Sequence, residues 1–363
     1  MRRRTALALV FVVVFFFGIP ALVAGLLSVR IGEPYQNYEG REQFVEVPMG
    51  AGTAEIGRRL VDAGVVGDRL TFRFAVLWAA RGRTLKAGEY RFDKPLAATA
   101  VVDRLARGDV YVRRITFPEG LTILEMARIY QTRGLGQESD FRAAAARAEL
   151  IRDLDPAARD LEGYLYPETY ALPRGTPAAT LVATMVERFK ASYDESLRAR
   201  AQAAGLTTRE VVTLASLVEK ETAKGEERPL VAAVYRNRLK IGMGMQADPT
   251  VVYALQKAGR YDGNIRRDDL AFDSPYNTYR YAGLPPGPIA APSRSSLAAV
   301  VAPANAPYLY FVSRNDGSHA FAATLPEHNR NVQKFQVEFF RRQRSEQRAA
   351  GGTAAGAAAR QRR

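Results

Sequence analysis

Residues 207–227 read TTREVVTLASLVEKETAKGEE, and this stretch decides what the C-terminal half of the chain builds. Thr207 offers a capping hydroxyl and Glu210 an acid in the first turn, the pattern that starts a helix. Val211, Leu214, Ala215 and Val218 then recur at helical spacing and form an apolar stripe, and the helix runs out in the polar residues around Gly225. Glu219 and Glu221 lie near its end; two positions apart, they project about 160° from each other and straddle the stripe. Glu221 follows Leu217 by one turn and Leu214 by two, whereas Glu219 stacks over the small Ala215 and over Val212. Removing water from a carboxylic acid raises its pKa and keeps a proton available at neutral pH, as a general acid requires. On this spacing Glu221 is the more desolvated and the candidate acid, with Glu219 the alternative or a supporting group. The other reading makes both solvated flank residues paired with Lys220, Lys224 or Arg228.

Upstream, Ala-rich helical stretches at residues 141–154 and 178–203 flank LEGYLYPETY, residues 161–170. Pro167 excludes an undisturbed helix there. Aromatic planes beside carboxylates suit the apolar faces of sugars; a buried loop with its hydroxyls hydrogen-bonded would read the same way. Downstream, the Pro-rich residues 275–307 read as a stiff extended loop bordering a cleft, or as a structural wrap.

Farther toward the N-terminus a strand–turn–helix pattern occurs twice, seventy positions apart. Val47-Pro48-Met49-Gly50 recurs as Phe117-Pro118-Glu119-Gly120, and the register holds from Glu55 with Glu125 to Gly64 with Gly134. Between the copies, residues 85–92 alternate like a strand after a Gly turn, and residues 101–105 read as part of a short helix. Such units resemble the small LysM carbohydrate-binding module.

Residues 6–27 carry no charge and are long enough to cross a bilayer core. Arg2, Arg3 and Arg4 precede them, which places the N-terminus in the cytoplasm by the positive-inside rule. A cleaved signal peptide is the alternative, but the uncharged run is long for one and no small-x-small cleavage site follows. The expectation is a retained anchor, kinked at Pro20, with everything after Arg30 exported.

Composition narrows the chemistry. The 363 residues contain no cysteine, which excludes disulfides and thiolate sites, and only two histidines, His319 and His328, which excludes a His-rich metal centre. Acid–base work therefore falls to carboxylates, with no metal or cofactor expected. The formal charge of +14 comes from scattered arginines without a nucleic-acid-binding signature, so no nucleic-acid partner is expected. It reads as a solvated basic surface that assists approach to an anionic envelope.

The motifs then fall into one order: AS-x-V-E-K-E-T ending at Thr222, Asn237-Arg238-Leu239, Gln246-Ala247-Asp248-Pro249-Thr250, Tyr276-Asn277-Thr278-Tyr279, and GLPPGPI at residues 283–289. Tyr308-Leu309-Tyr310-Phe311-Val312, His319-Ala320-Phe321 and His328-Asn329 close it. This order, with the earlier EGYLYPETY, resembles the YceG-like endolytic murein transglycosylases from the anchor to about residue 333. Tyr235, Met243-Gly244-Met245 and the basic tail depart from the expected pattern. The resemblance implies a lyase that cuts the MurNAc–GlcNAc β-1,4 bond of peptidoglycan glycan strands in the periplasm and leaves 1,6-anhydro ends, limiting strand elongation. In such an enzyme one carboxyl serves as acid and then base, because the nucleophile belongs to the substrate. The catalytic Glu of such enzymes is typically followed by a small hydroxyl residue, which Glu221-Thr222 satisfies. Peptidoglycan synthases are the implied protein partners. Gln246, Asp248, Tyr276, Asn277, Thr278 and Glu168 are the candidate substrate-binding residues, as polar groups inside rigid motifs. A non-enzymatic glycan-binding scaffold and a muramidase-type hydrolase are the competing functions.

The expected architecture is α+β: a cytoplasmic N-terminus (1–5), one transmembrane helix (6–27) of the inner membrane, a linker (28–41), a LysM-like region (42–140), a mainly helical catalytic domain with a Glu-bearing helix and Pro-rich loops (141–340), and a disordered basic tail (341–363).

Overall fold

The computed structural model describes residues 14–341. Arg2 to Arg4, residues 6–13 of the expected span and residues 342–363 of the tail lie outside them. The chain is mixed helix and strand, and it divides into two units: residues 1–114 with 171–176, and residues 115–170 with 177–363.

The first unit begins with helix α1, Val14–Gly32, whose mean hydropathy of 2.1 and 19-residue length suit a bilayer crossing. Almost all of it is exposed, but its last turn is not free. Ile31 is 3% exposed and joins the unit's hydrophobic core, the Thr99 hydroxyl donates to the Ile31 carbonyl, and Arg30 lies 3.8 Å from Asp68. Residues 28–32, expected as the start of a linker, thus continue the helix, because Ile31 has apolar neighbours to join. Strand β1 (Pro34–Tyr35) follows, then β2 (Gln43–Val47), helix α2 (Thr53–Asp62), helix α3 (Arg69–Ala75, continued by a wider turn over Val76–Ala80) and strand β3 (Gly88–Phe92). β2 and β3 pair antiparallel with Val45 opposite Tyr90. Val45 and Val47 point inward and Phe44 and Glu46 outward, the period-2 pattern of a one-sided strand. Their inner face meets Ile56 and Leu60 of α2, Phe72 of α3, and Val101, Val102 and Leu105 of helix α4 (Ala98–Arg107). Strand β4 (Leu96–Ala97), just before α4, pairs with β1.

The chain enters the second unit along β5 (Val112–Thr116), followed by α5 (Ile123–Thr132), α6 (Glu138–Ala145) and β6 (Thr169–Pro173), which pairs with β5. The order strand–helix–helix–strand is therefore present twice, as β2-α2-α3-β3 and β5-α5-α6-β6. The Ala-rich stretch from Phe141 is helical only to Ala145, with a short 3-10 turn at Ala148–Ile151. The stretch from Ala178 divides into α7 (Ala178–Ser192) and α8 (Glu195–Ala203), because the Asp194 side chain accepts from the Leu197 amide and starts a new helix.

Helix α9 (Thr208–Glu221) is the axis of this unit. Thr207 and Glu210 form a reciprocal capping box at its start, and Val211 to Val218 are buried on every side. It packs against α10 (Arg228–Lys240), α11 (Asp248–Lys257) and α12 (Arg294–Val301). The Pro-rich stretch is thus not extended throughout: Ser293 caps α12 within it. Its loop portion is sewn to the core by the Ile289 amide, which donates to Ser216 Oγ of α9, and by Gly163, whose φ of +81° and contact with Pro288 leave no room for a Cβ. A hairpin, β7 (Tyr310–Ser313) with β8 (His319–Ala322), and helix α13 (Leu325–Val332) complete the unit.

Candidate active site

The two carboxylates at the end of α9 occupy different environments. Glu219 Oε2 accepts from the Ser293 amide (2.9 Å), the Ser293 hydroxyl (2.5 Å) and the Ser296 hydroxyl (2.7 Å), while Oε1 takes Arg228 at 3.1 Å. Burial works against its charge, but these four donors together outweigh it and hold the carboxyl below its ordinary range. Glu219 is an ionised tie between α9 and the start of α12, and Arg228 is the partner it finds.

Glu221 is the last residue of α9 and has one hydrogen-bond donor, the Tyr235 hydroxyl at 3.3 Å. Burial, and then the like charge of Asp248, push its carboxyl up to about 7; Tyr235 and Arg238 oppose this more weakly. The negative end of the helix dipole works in the same direction. A carboxyl poised near neutrality can both give up and recover a proton.

Glu221 opens into a cleft of about 430 Å³ lined by Arg238, Gln246, Asp248, Tyr279, Tyr310, Phe311, Leu325, His328 and Asn329. Arg238 is 7% exposed and anchored: Nε donates to the Leu309 carbonyl (2.6 Å), Nη1 to the Met245 carbonyl (2.5 Å), and its guanidinium lies over the Tyr310 ring. Tyr310 stacks on His328, whose imidazole burial, helped by Arg238, keeps below its usual pKa and hence neutral. Tyr279 donates to Asp248 Oδ1 at 2.6 Å. Gln246 takes a left-handed backbone, φ +48°, at the cleft edge. The wall thus combines aromatic faces with fixed polar groups, the makeup of a sugar-binding surface.

Of the residues expected to bind substrate, Gln246 and Asp248 line this cleft. The others do not. Asn277 is fully buried; its side-chain amide donates to the Leu270 and Phe272 carbonyls and its Oδ1 accepts from the Tyr279 amide, so it shapes the loop that presents Tyr279. Thr278 is 2% exposed and bonds Thr250 Oγ1 and the Ala247 amide, fixing the entry to α11. Glu168 is held by Arg188 in a two-point ion pair at 2.6 and 2.7 Å. Tyr276 packs on Tyr253 (4.8 Å) in a separate hollow with Glu162 and Lys257. Glu162 there accepts from the Ile123 amide and the Tyr253 hydroxyl, and burial raises it to about 8. Arg238, Tyr279, Tyr310, Phe311, His328 and Asn329 were not singled out from the sequence although each lies inside one of its motifs. Tyr235, a departure from the expected pattern, is the residue that touches Glu221.

Residues 45–334 match the YceG-like family. An endolytic murein transglycosylase of Bacillus subtilis is 30% identical over 321 residues, covering 84% of this chain and 87% of its own length. The protein of the same name from Streptococcus pneumoniae is 32% identical over 79% of this chain, which spans only 57% of that longer relative. A crystal structure of a YceG-like protein from Listeria monocytogenes superposes with a TM-score of 0.55 at 30% identity, covering 80% of this chain and 98% of that one. With the match running through both units and every residue of the Glu221 cleft, the chain belongs to the YceG-like family.

Proposed function

We propose that this protein is a peptidoglycan lytic transglycosylase whose acid and base is Glu221. One observation carries the assignment: Glu221 stands in the cleft with a carboxyl raised to about 7, while its neighbour Glu219 is ionised and fully engaged. Protonated Glu221 donates to the glycosidic oxygen between MurNAc and GlcNAc, and that C1–O bond breaks with the oxygen leaving on GlcNAc. The carboxylate then takes the proton of the MurNAc C6 hydroxyl as its oxygen bonds C1, which closes a 1,6-anhydro ring and restores the acid. No water enters the balance. Tyr235 orients the carboxyl, Asp248 keeps its pKa high, and the Tyr279, Tyr310 and Phe311 rings with Gln246 offer surfaces for the sugar.

The remaining parts of the reading follow from the same assignment. Helix α1 anchors the enzyme in the inner membrane with the N-terminus cytoplasmic and everything after α1 periplasmic, where nascent strands and their synthases are found. The β2-α2-α3-β3 unit serves as a LysM-like glycan-binding element, and cleavage within strands limits their length. A muramidase-type hydrolase is favoured only by Asp248, the second carboxylate of the cleft, which is occupied by Tyr279. Mass spectrometry of digested peptidoglycan decides: anhydro ends are expected, reducing ends would make the enzyme a hydrolase, and intact strands would leave a binding scaffold.

A further inference from the structure

Helix α3 with its continuation, Arg69 to Ala80, is two-faced. Thr71, Phe72, Ala75 and Ala80 are buried, while Leu70, Leu77 and Trp78 stand 71, 75 and 66% exposed, the largest apolar surfaces of the first unit outside α1 and Met49. Leu70 and Leu77 are seven apart, hence on one side of a helix. Exposed Arg69, Arg73 and Arg81 surround them, and none has a carboxylate within ion-pair distance among the described residues. An apolar ridge in a cationic frame is unlike the solvated face of an ordinary helix.

Both ends of this rod are tied to the point where α1 leaves its apolar stretch. At one end Asp68, the cap of α3, meets Arg30. At the other, Trp78 and Arg81 line a hollow with Thr99, and Thr99 holds the Ile31 carbonyl. α1 itself packs on both α3 and α4, and Ile31 sits in their shared core, so rod and membrane helix move together. If α1 spans the bilayer, the rod lies across its outer end at headgroup level, where Trp is favoured and Arg finds anionic phosphate.

We infer that the Leu70–Leu77–Trp78 face is a lipid-contacting surface that seats the first unit on the outer leaflet of the membrane, the inference resting on α1 as a membrane span. Trp78 is the chain's single tryptophan, so its fluorescence reports this surface alone. The full-length protein is reconstituted into vesicles of phosphatidylethanolamine and phosphatidylglycerol, with and without brominated acyl chains, and followed by flotation and by emission. Co-flotation with a blue-shifted Trp78 emission, quenched at least twofold by the brominated lipid, is expected. The double variant L70S/L77S, altered only at exposed positions, should still float but lose most of the quenching. Flotation with a water-exposed, unquenched Trp78 overturns the lipid surface and leaves the anchor standing; that face would then be free for a protein partner. Failure to float overturns the anchor and the inference with it.

Discussion

Replacing Glu221 by Gln separates the catalytic requirement from the cost of meeting it. A carboxyl raised on folding from its ordinary 4.5 to about 7 binds more protons in the folded than in the unfolded chain across that interval. Stability therefore falls as pH rises through it, the loss being complete just above 7. About 2.5 units at about 1.4 kcal/mol each sets an upper bound of ~3–4 kcal/mol, and water in the open cleft reduces this to ~1–3 kcal/mol. Gln keeps the shape and can still accept from Tyr235, but it has no charge to bury. The gap in unfolding free energy between E221Q and wild type should widen in the variant's favour by ~1–3 kcal/mol from pH 5 to pH 8, several degrees in Tm for a unit of this size. Thermal unfolding at a series of pH values measures it, and other titrating groups cancel in the difference. Strand cleavage by E221Q should fall at least ~10²–10⁴-fold. A gap that stays flat with pH would refute the raised carboxyl, and an active E221Q would move the chemistry elsewhere.

The other predictions concern its neighbours and the anchor. Glu219→Gln strips the charge from four donors and leaves half-buried Arg228 with only the more distant Glu119 (4.0 Å) and the Ser296 hydroxyl, so it should destabilise by ~1–3 kcal/mol while folded molecules still cleave; a stable, inactive variant would make Glu219 a participant in the chemistry. Tyr235→Phe removes a donor that favours the carboxylate, so the basic limb of the kcat/KM–pH profile, near 7 in the wild type, should move to higher pH. Asp248→Asn removes the like charge and should move the same limb lower, and two shifts of the same sign would contradict the electrostatic account. A periplasm-dependent reporter fused after Arg363 should be active, and a main species beginning near Ser28 would mean that α1 is cleaved.

Helical spacing carried the reading of α9 because periodicity is local: Thr207, Glu210 and the stripe from Val211 to Val218 stand within one helix. What separates Glu219 from Glu221 is not local. Spacing pointed to unequal burial, yet the decisive difference is the number of donors, and Ser293 and Ser296 come from more than seventy residues away. Asn277 and Thr278 show the converse. A polar residue in a rigid motif looks the same whether it faces a ligand or the backbone, and here the Leu270 and Phe272 carbonyls and the Ala247 amide claim both side chains. Arg238 is one of 52 basic residues, and only folding brings it beneath Tyr310. The helix inside the Pro-rich stretch was hidden for another reason: Pro292 ends the extended run just where Ser293 caps α12.

The burial of Ile31 also decides where the chain can be severed without harm. Ser28, Val29 and Arg30 are exposed on the final turn of α1, whereas Ile31 beside them is packed with Val101 and Val102. A cut before Ser28 would shed an enzyme that keeps Ile31, its carbonyl bond to Thr99 and the Arg30–Asp68 pair. A cut four residues later, after Ile31, would shed one with a hole in its first unit, at a cost of ~2–5 kcal/mol for a lost aliphatic side chain. Any form of the chain prepared without the apolar stretch of α1 has its start set by that one side chain.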